Sequence, residues 1–294
     1  MNEMVDNKSL ELKLHRKMSD LPGCDINLEF VKNFYNELKS LNNEAIDYEL
    51  KNAQELYKDE QLKNIEEFIK NNMKIIVEIN GVRGEMLSSN NESIFDNEKL
   101  PNHISMIRFS NEVLMRSGYI PGNVIKVEFD FNRIDIFDFR ESPSNRSGNM
   151  SQIFIAGNNK SWVEGTYNNL INVLKDKKNI SNLLHKRNIY DLFLWFIIVP
   201  MDFYVLALFE ENFQNLLYNL SSPLRIGIYI YIFIMFLLIF RITFNYMRWL
   251  FPYMAFNIDK NRIRNIHKIV LAILWTLIFS PILSKIINRI FSNS

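Results

Sequence analysis

Two apolar runs near the end of the chain limit what it can become. Tyr190–Phe209 reads YDLFLWFIIVPMDFYVLALF, with Asp191 and Asp202 as its charges. Leu224–Phe240, continued through Ile242–Tyr246, carries Arg225 and Arg241 as its charges. A bilayer core of about 30 Å takes roughly 20 mostly apolar residues in helix, and each run has that length. Ile228–Phe240 is apolar at every position. A helix there has no polar face to turn to water, as a surface helix of a soluble protein must. The pair reads as a membrane hairpin with spans at about 190–209 and 224–246. A third run at 266–284, with Ile269–Leu283 at its heart and KIINRIF continuing it, is shorter and is interrupted by Pro281 and Lys285. It reads as a further span or as a helix lying in the interface.

Basic residues set the expected orientation, because Lys and Arg stay on the cytoplasmic side. Lys175, Lys177, Lys178, Lys186 and Arg187 precede the first span, and Arg241, Arg248, Lys260, Arg262, Arg264 and Lys268 lie near or beyond the end of the second. The Glu210–Pro223 connection has two acids and no Lys or Arg. This predicts a multi-pass protein with its N-terminus cytoplasmic and the 210–223 connection outside.

The whole-chain mean hydropathy of −0.09 conceals this, because a polar N-terminal part dilutes the spans. Residues 1–188 carry a net charge of −3 and residues 189–294 one of +4. Neither part is basic enough to suggest nucleic-acid binding. The single Cys24 excludes an internal disulfide and fits a reducing compartment. Residues 1–20 are charged and without an apolar core, so no signal peptide is expected.

The N-terminal part divides by periodicity. In 1–71, Leu10, Leu12 and Leu14 alternate with polar residues and predict a short strand. Asn27 is a candidate cap for a helix through Leu38. A second helix is expected from about Asn43 to Lys70. Its stripe of Ile46, Leu50, Ala53 and Tyr57, continued by Leu62, Ile65 and Ile69, suits either a helical hairpin or self-association. From about residue 72 to 178 the pattern is that of an antiparallel sheet closed by one helix. Strands are expected at Ile75–Ile79, Val82–Leu87, Ile104–Ser110, Ile125–Phe131, Ile134–Phe139 and Gln152–Ala156. Asn80-Gly81 is expected to turn the first hairpin, and a bulge is expected at Ile136-Phe137. Ser161 with Glu164 offers a capping box for the closing helix, whose apolar face would be Val163, Tyr167, Leu170, Ile171 and Leu174. The expected class is therefore α+β in a cytosolic portion, followed by a helical membrane domain, 189–294, of two or three spans.

Enzyme signatures are sparse. His15, His103, His185 and His267 lack paired ligand spacing, and no glycine-rich phosphate loop or nucleophile elbow occurs. Catalytic residues, cofactors and metals are accordingly expected to be none. Glu128, Asp130, Asp135 and Asp138 sit on two expected strands and suit a solvated sheet face better than a divalent cation. Arg133, Arg140 and Arg146 suit surface charge, with anion or nucleotide binding as the sharper alternative.

The residues singled out lie in the spans or just beyond the second. Asp202 follows Pro200 inside the first, and an intramembrane carboxylate costs a few kcal/mol on insertion scales. Arg241 sits about 15 Å deeper than Asp202 at 1.5 Å per residue, which leaves Arg225 or a neighbouring subunit as the expected partner. Arg248, Trp249, Phe251 and Pro252 form a cluster suited to anchoring at the interface, where Trp sits at the headgroups and Arg pairs with lipid phosphate.

Two segments, Ile153-Phe-Ile-Ala-Gly157 with Ser161-Trp162-Val163, and Arg248-Trp-Leu-Phe251-Pro252 with Phe256-Asn-Ile258, together resemble a group of uncharacterised bacterial membrane proteins. These have a β-rich cytoplasmic domain and two or three spans. The resemblance implies a bacterial inner-membrane setting and transfers no site. The resulting expectation is a membrane protein whose cytosolic domain senses a small molecule or a protein partner and whose spans self-associate in lipid. A stress or phage-defence effector acting on the membrane is one version. A membrane-anchored scaffold is the alternative.

Overall fold

The computed structural model describes residues 14–96, 98, 100–112, 121–140, 142–256, 267, 272 and 284. Most of the expected third span and most of the expected Leu10–Leu14 strand fall outside these residues. The chain is an α+β fold with a six-stranded antiparallel sheet, followed by two apolar helices. It divides into two compact units, Met1–Asn132 with Asn149–Asn179, and Arg133–Gly148 with Ile180–Ser294.

The first unit is a sheet with helices. Its strands are β1 (His15–Asp20), β2 (Ile76–Gly81), β3 (Met86–Ser89), β4 (Ile104–Ser110), β5 (Val124–Asp130) and β6 (Gln152–Gly157), in the order β1-β6-β5-β4-β2-β3. Every neighbouring pair is antiparallel. Registers Val77↔Phe109, Phe109↔Val127 and Val127↔Ile153 put one residue of each of the four inner strands in a single row. All four are fully buried, as period-two alternation requires of one face.

Helices α1 (Leu28–Leu56) and α3 (Lys160–Lys175) cover that face. Phe34 of α1 meets Phe109 and Phe129 edge-on at 5.8 and 5.3 Å between centroids. Asn169 of α3 donates to Glu37 of α1 at 2.6 Å. Asn27 caps α1, its Oδ1 accepting from the Phe30 amide at 2.8 Å.

Several expectations are corrected. No break separates two helices near residue 40, because Leu41, Asn42 and Ala45 continue the buried face of α1. The break falls at Tyr57-Lys58, ahead of α2 (Asp59–Asn72), where Asp59 has φ +53°. The first hairpin turns at residues 82–85, with Gly84 at φ +88°, while Asn80 pairs with Met86 inside the ladder. The α3 cap is Asn159, which accepts from the Ser161 and Trp162 amides, not Ser161. Trp162 and Thr166 join Val163, Leu170 and Leu174 in the buried face. Ile134–Phe139 is not a strand.

The polar face of the sheet is not solvated at Glu128 and Asp130, which are 4% and 6% exposed. Glu128 accepts from Arg108 Nε and Gln152 Nε2, each at 2.6 Å. Burial alone would raise its pKa, but the Gln152 bond and the Lys126 and Arg108 charges outweigh that and hold it below the ordinary value. Asp130 accepts from the Asn132 and Met150 amides and so closes the two ends of the excursion between β5 and β6.

Candidate functional site

The second unit is built on helices α4 (Ile189–Leu208), α5 (Glu210–Leu217) and α6 (Ser222–Leu250). Among the described residues, α4 and α6 are the helices long and apolar enough to cross a membrane. Their apolar side chains face outward: Trp195, Phe196, Phe203, Ile226, Ile230 and Tyr231 are all at least half exposed. A contiguous exposed patch of this kind marks contact with lipid or protein.

Helix α4 contains a π turn over Leu194–Ile198, with Val199 N bonded to Leu194 O. Pro200 explains it. The ring has no N–H and crowds the carbonyl four residues back, and a widened turn relieves that clash. Asp202 follows at 1% exposure, and its Oδ2 has no hydrogen-bond partner among the described residues. Arg225 Nε donates to the Leu220 carbonyl at 3.1 Å. Arg241 lies with the Phe139 ring, 5.1 Å from its centroid, and donates to the Asp138 carbonyl. The structure thus brings Asp202 together with neither arginine.

Helix α6 has 29 residues, about 43 Å at 1.5 Å each. That exceeds a hydrocarbon core by roughly nine residues. Its buried residues are Phe244, Asn245 and Arg248, all near its C-terminal end. Phe244 packs on Tyr190, Phe193 and Phe240, while Asn245 and Arg248 bond to the segment 133–148, which lies between β5 and β6. Asn245 Nδ2 donates to the Ile136 and Asp138 carbonyls, both at 3.3 Å. Arg248 donates through Nε to Leu184 O at 2.9 Å and through Nη2 to Asn145 O at 3.4 Å, with its guanidinium 4.7 Å from the Phe244 centroid. Arg133 stacks on Trp249 at 5.0 Å and donates to its carbonyl. Arg146 lies over the Tyr253 ring and donates to its hydroxyl at 2.8 Å.

His185 pins the same segment from a second side. Its Nε2 lies 2.7 Å from the Phe251 carbonyl, which only a donor can satisfy, so Nδ1 accepts from the Ser147 hydroxyl at 2.7 Å. Burial first, and then the Arg248 charge, push its pKa down to about 4 despite the raising effect of the Phe251 bond. The ring is neutral and fixed in one tautomer.

The four residues read as interface anchors are therefore placed differently from one another. Arg248 and Pro252 are buried, Trp249 is half-buried under Arg133, and Phe251 is 46% exposed. Between the 133–148 segment and the end of α6 lies a polar cavity of about 230 Å³, lined by Arg133, Arg146 and Arg248 among others. Arg140 is not in its lining. Sequence reasoning gave no role to Asn245, Ser147, Tyr253 or His185. Among the described residues, no three His, Cys, Asp or Glu side chains gather as a metal site would require. No protein-family model, curated protein or solved structure matches the chain.

Proposed function

We propose that the protein is a membrane-embedded sensing module in which the 133–148 segment transmits the state of the sheet to the spans. One observation carries this reading. Two of the three buried residues of α6, Asn245 and Arg248, bond to carbonyls of a segment whose two ends lead into neighbouring strands, β5 and β6. A change of strand spacing at Asp130 or Ser151 would pull on both ends of the segment, and the segment holds the helix through part-buried bonds from Arg241, Asn245 and Arg248. A plain anchor has no use for such a grip.

The rest of the reading follows from the sequence. The setting is a bacterial inner membrane with the N-terminus cytoplasmic. The outward apolar faces of α4 and α6 meet lipid and a second copy of the chain. The sensed ligand or partner acts on the sheet unit, and a stress or phage-defence effector is the version in which spans perturb the membrane.

The test compares full-length protein with Asn245→Leu in reconstituted vesicles and in cells. Asn245→Leu should uncouple the two units, leaving membrane insertion intact while changing conductance or growth phenotype. An unchanged phenotype for Asn245→Leu, Asp202→Leu and Arg241→Leu together would leave only an anchored scaffold.

A further inference from the structure

The 133–148 segment carries two phenylalanines that the protein leaves uncovered. Phe137 is 71% exposed and Phe139 is 47% exposed. Phe137 stands at the tip of a turn closed by the Asp138 amide on the Asp135 carbonyl at 3.3 Å. Single apolar residues on a surface need no explanation, whereas a cluster does. Here the two rings and Trp249 of α6 line one open depression of about 620 Å³, which Arg140 also lines.

The bonds that hold the turn set its depth. The Asp138 carbonyl accepts from Arg241 at 3.4 Å and from Asn245 at 3.3 Å, and the Ile136 carbonyl accepts from Asn245. The Arg241 guanidinium lies 5.1 Å from the centre of the Phe139 ring. About 20 helical residues fill a hydrocarbon core, and counted from Ser222, where α6 begins, they end near Arg241. Ile239, two residues earlier, is still half exposed, so the uncovered rings take up where the apolar surface of α6 stops. The turn is thus tied to α6 at the boundary between acyl chains and headgroups, where amphipathic elements bury phenylalanine about 5–10 Å deep. Asp135 and Asp138 bound the turn, so charge does not recruit it to anionic lipid and the contact is apolar in kind. We propose that Phe137 and Phe139 insert into the headgroup boundary of the leaflet at the C-terminal end of α6. The occupant of the depression is lipid, and the 133–148 segment then responds to the packing of that leaflet directly. This contact rests on α4 and α6 spanning the membrane and adds a lipid surface outside the spans.

The experiment uses the full chain reconstituted in phosphatidylcholine vesicles. Phe137→Cys carries a small thiol-linked fluorophore, with Phe139→Cys as the second site. Cys24 is fully buried, and wild type treated with the same reagent measures its background. The quenchers are phosphatidylcholines with a nitroxide near the headgroup or near the chain end, and aqueous iodide. The shallow nitroxide should quench the 137 label about twofold more than the deep one, as a boundary position requires. Iodide should quench it about threefold less than a label at Glu55→Cys, an exposed position on α1, because an ion does not enter lipid. Iodide quenching without lipid quenching would show a solvated turn, and protection from both would show a protein surface covering it; either overturns the inference. Stronger quenching by the deep nitroxide than by the shallow one overturns it as well. Phe196→Cys on α4 and Ile230→Cys on α6, both exposed, should respond to the deep nitroxide. If they respond and the 137 label does not, the spans stand and the lipid contact falls. If they do not respond, the membrane reading fails and takes the contact with it.

Discussion

Acidification should loosen the 133–148 segment through His185. In the closed form His185 is buried between the Ser147 hydroxyl and the Phe251 carbonyl, with Arg248 beside it and its pKa near 4. When the segment lifts off, the ring meets water and its pKa returns to about 6.5. The open form therefore binds protons more readily than the closed one. The closed form keeps its full advantage above pH 6.5 and loses it as pH falls from there toward 4. Between pH 7.5 and 5.0 these two values give a change of about 30-fold in the opening equilibrium, or about 2 kcal/mol. Hydrogen exchange of peptides covering 133–148, corrected for the intrinsic rate at each pH, reads that equilibrium directly. Protection should drop about 30-fold over this range in the wild type. In His185→Gln, whose amide still donates to a carbonyl but does not titrate, protection should be flat. A flat wild type, or an equal slope in the variant, would refute the reasoning.

Other perturbations bear on both units. Asp202→Leu should stabilise the detergent-solubilised protein by about 1–2 kcal/mol, because it removes a buried carboxylate oxygen without a partner; a lower thermal midpoint would show that the acid is held by a group not yet identified. Glu128→Gln should cost about 2 kcal/mol at pH 7, the worth of hydrogen bonds to charged groups. Since its pKa is held down in the fold, that contribution should be present above pH 4.5 and vanish as pH falls below the depressed value, as thermal melts against pH would record. Asn111→Leu should cost about 3 kcal/mol or more in denaturant melts, since it strips partners from Asn42 and the Ile125 amide in a fully buried network. A reporter fused after Asn215 should lie on the opposite side of the membrane from one at the N-terminus; the same side for both would exclude a two-span hairpin.

Much of the sheet was legible, because period-two alternation is a strong constraint when one face is buried. Ile104–Ser110 and Gln152–Gly157 stand where their residues predict. What periodicity could not supply was pairing. His15–Asp20 alternates without any apolar face, with Met18 65% exposed, and it is a strand only because β6 offers it an edge. The turn at Gly84 was hidden behind a stronger local signal, Asn80-Gly81, which the bulge at the end of β2 absorbed. The fusion of two expected helices into α1 has a similar cause. Asn42 looks like a boundary residue, but its amide serves the Met73 carbonyl at 2.8 Å, a partner distant in sequence. Buried polar networks are set by tertiary structure, and no local pattern announces them.

The grip on α6 shows where a better reading was possible. Arg-Ile-Asp-Ile-Phe-Asp-Phe alternates like a strand, yet the carbonyls of Ile136 and Asp138 meet side chains of α6. The other half of that contact was visible. Arg241, Asn245 and Arg248 stand four and three residues apart, a spacing that places them on one helical face. For a helix that crosses a membrane, a polar stripe gathered in its last third places that third outside hydrocarbon with its stripe facing protein. The same stripe set in the middle of a span would point to a neighbouring helix instead. Arg248 is thus better understood through Asn245 and Arg241 than through the aromatic neighbours that made it look like a lipid anchor.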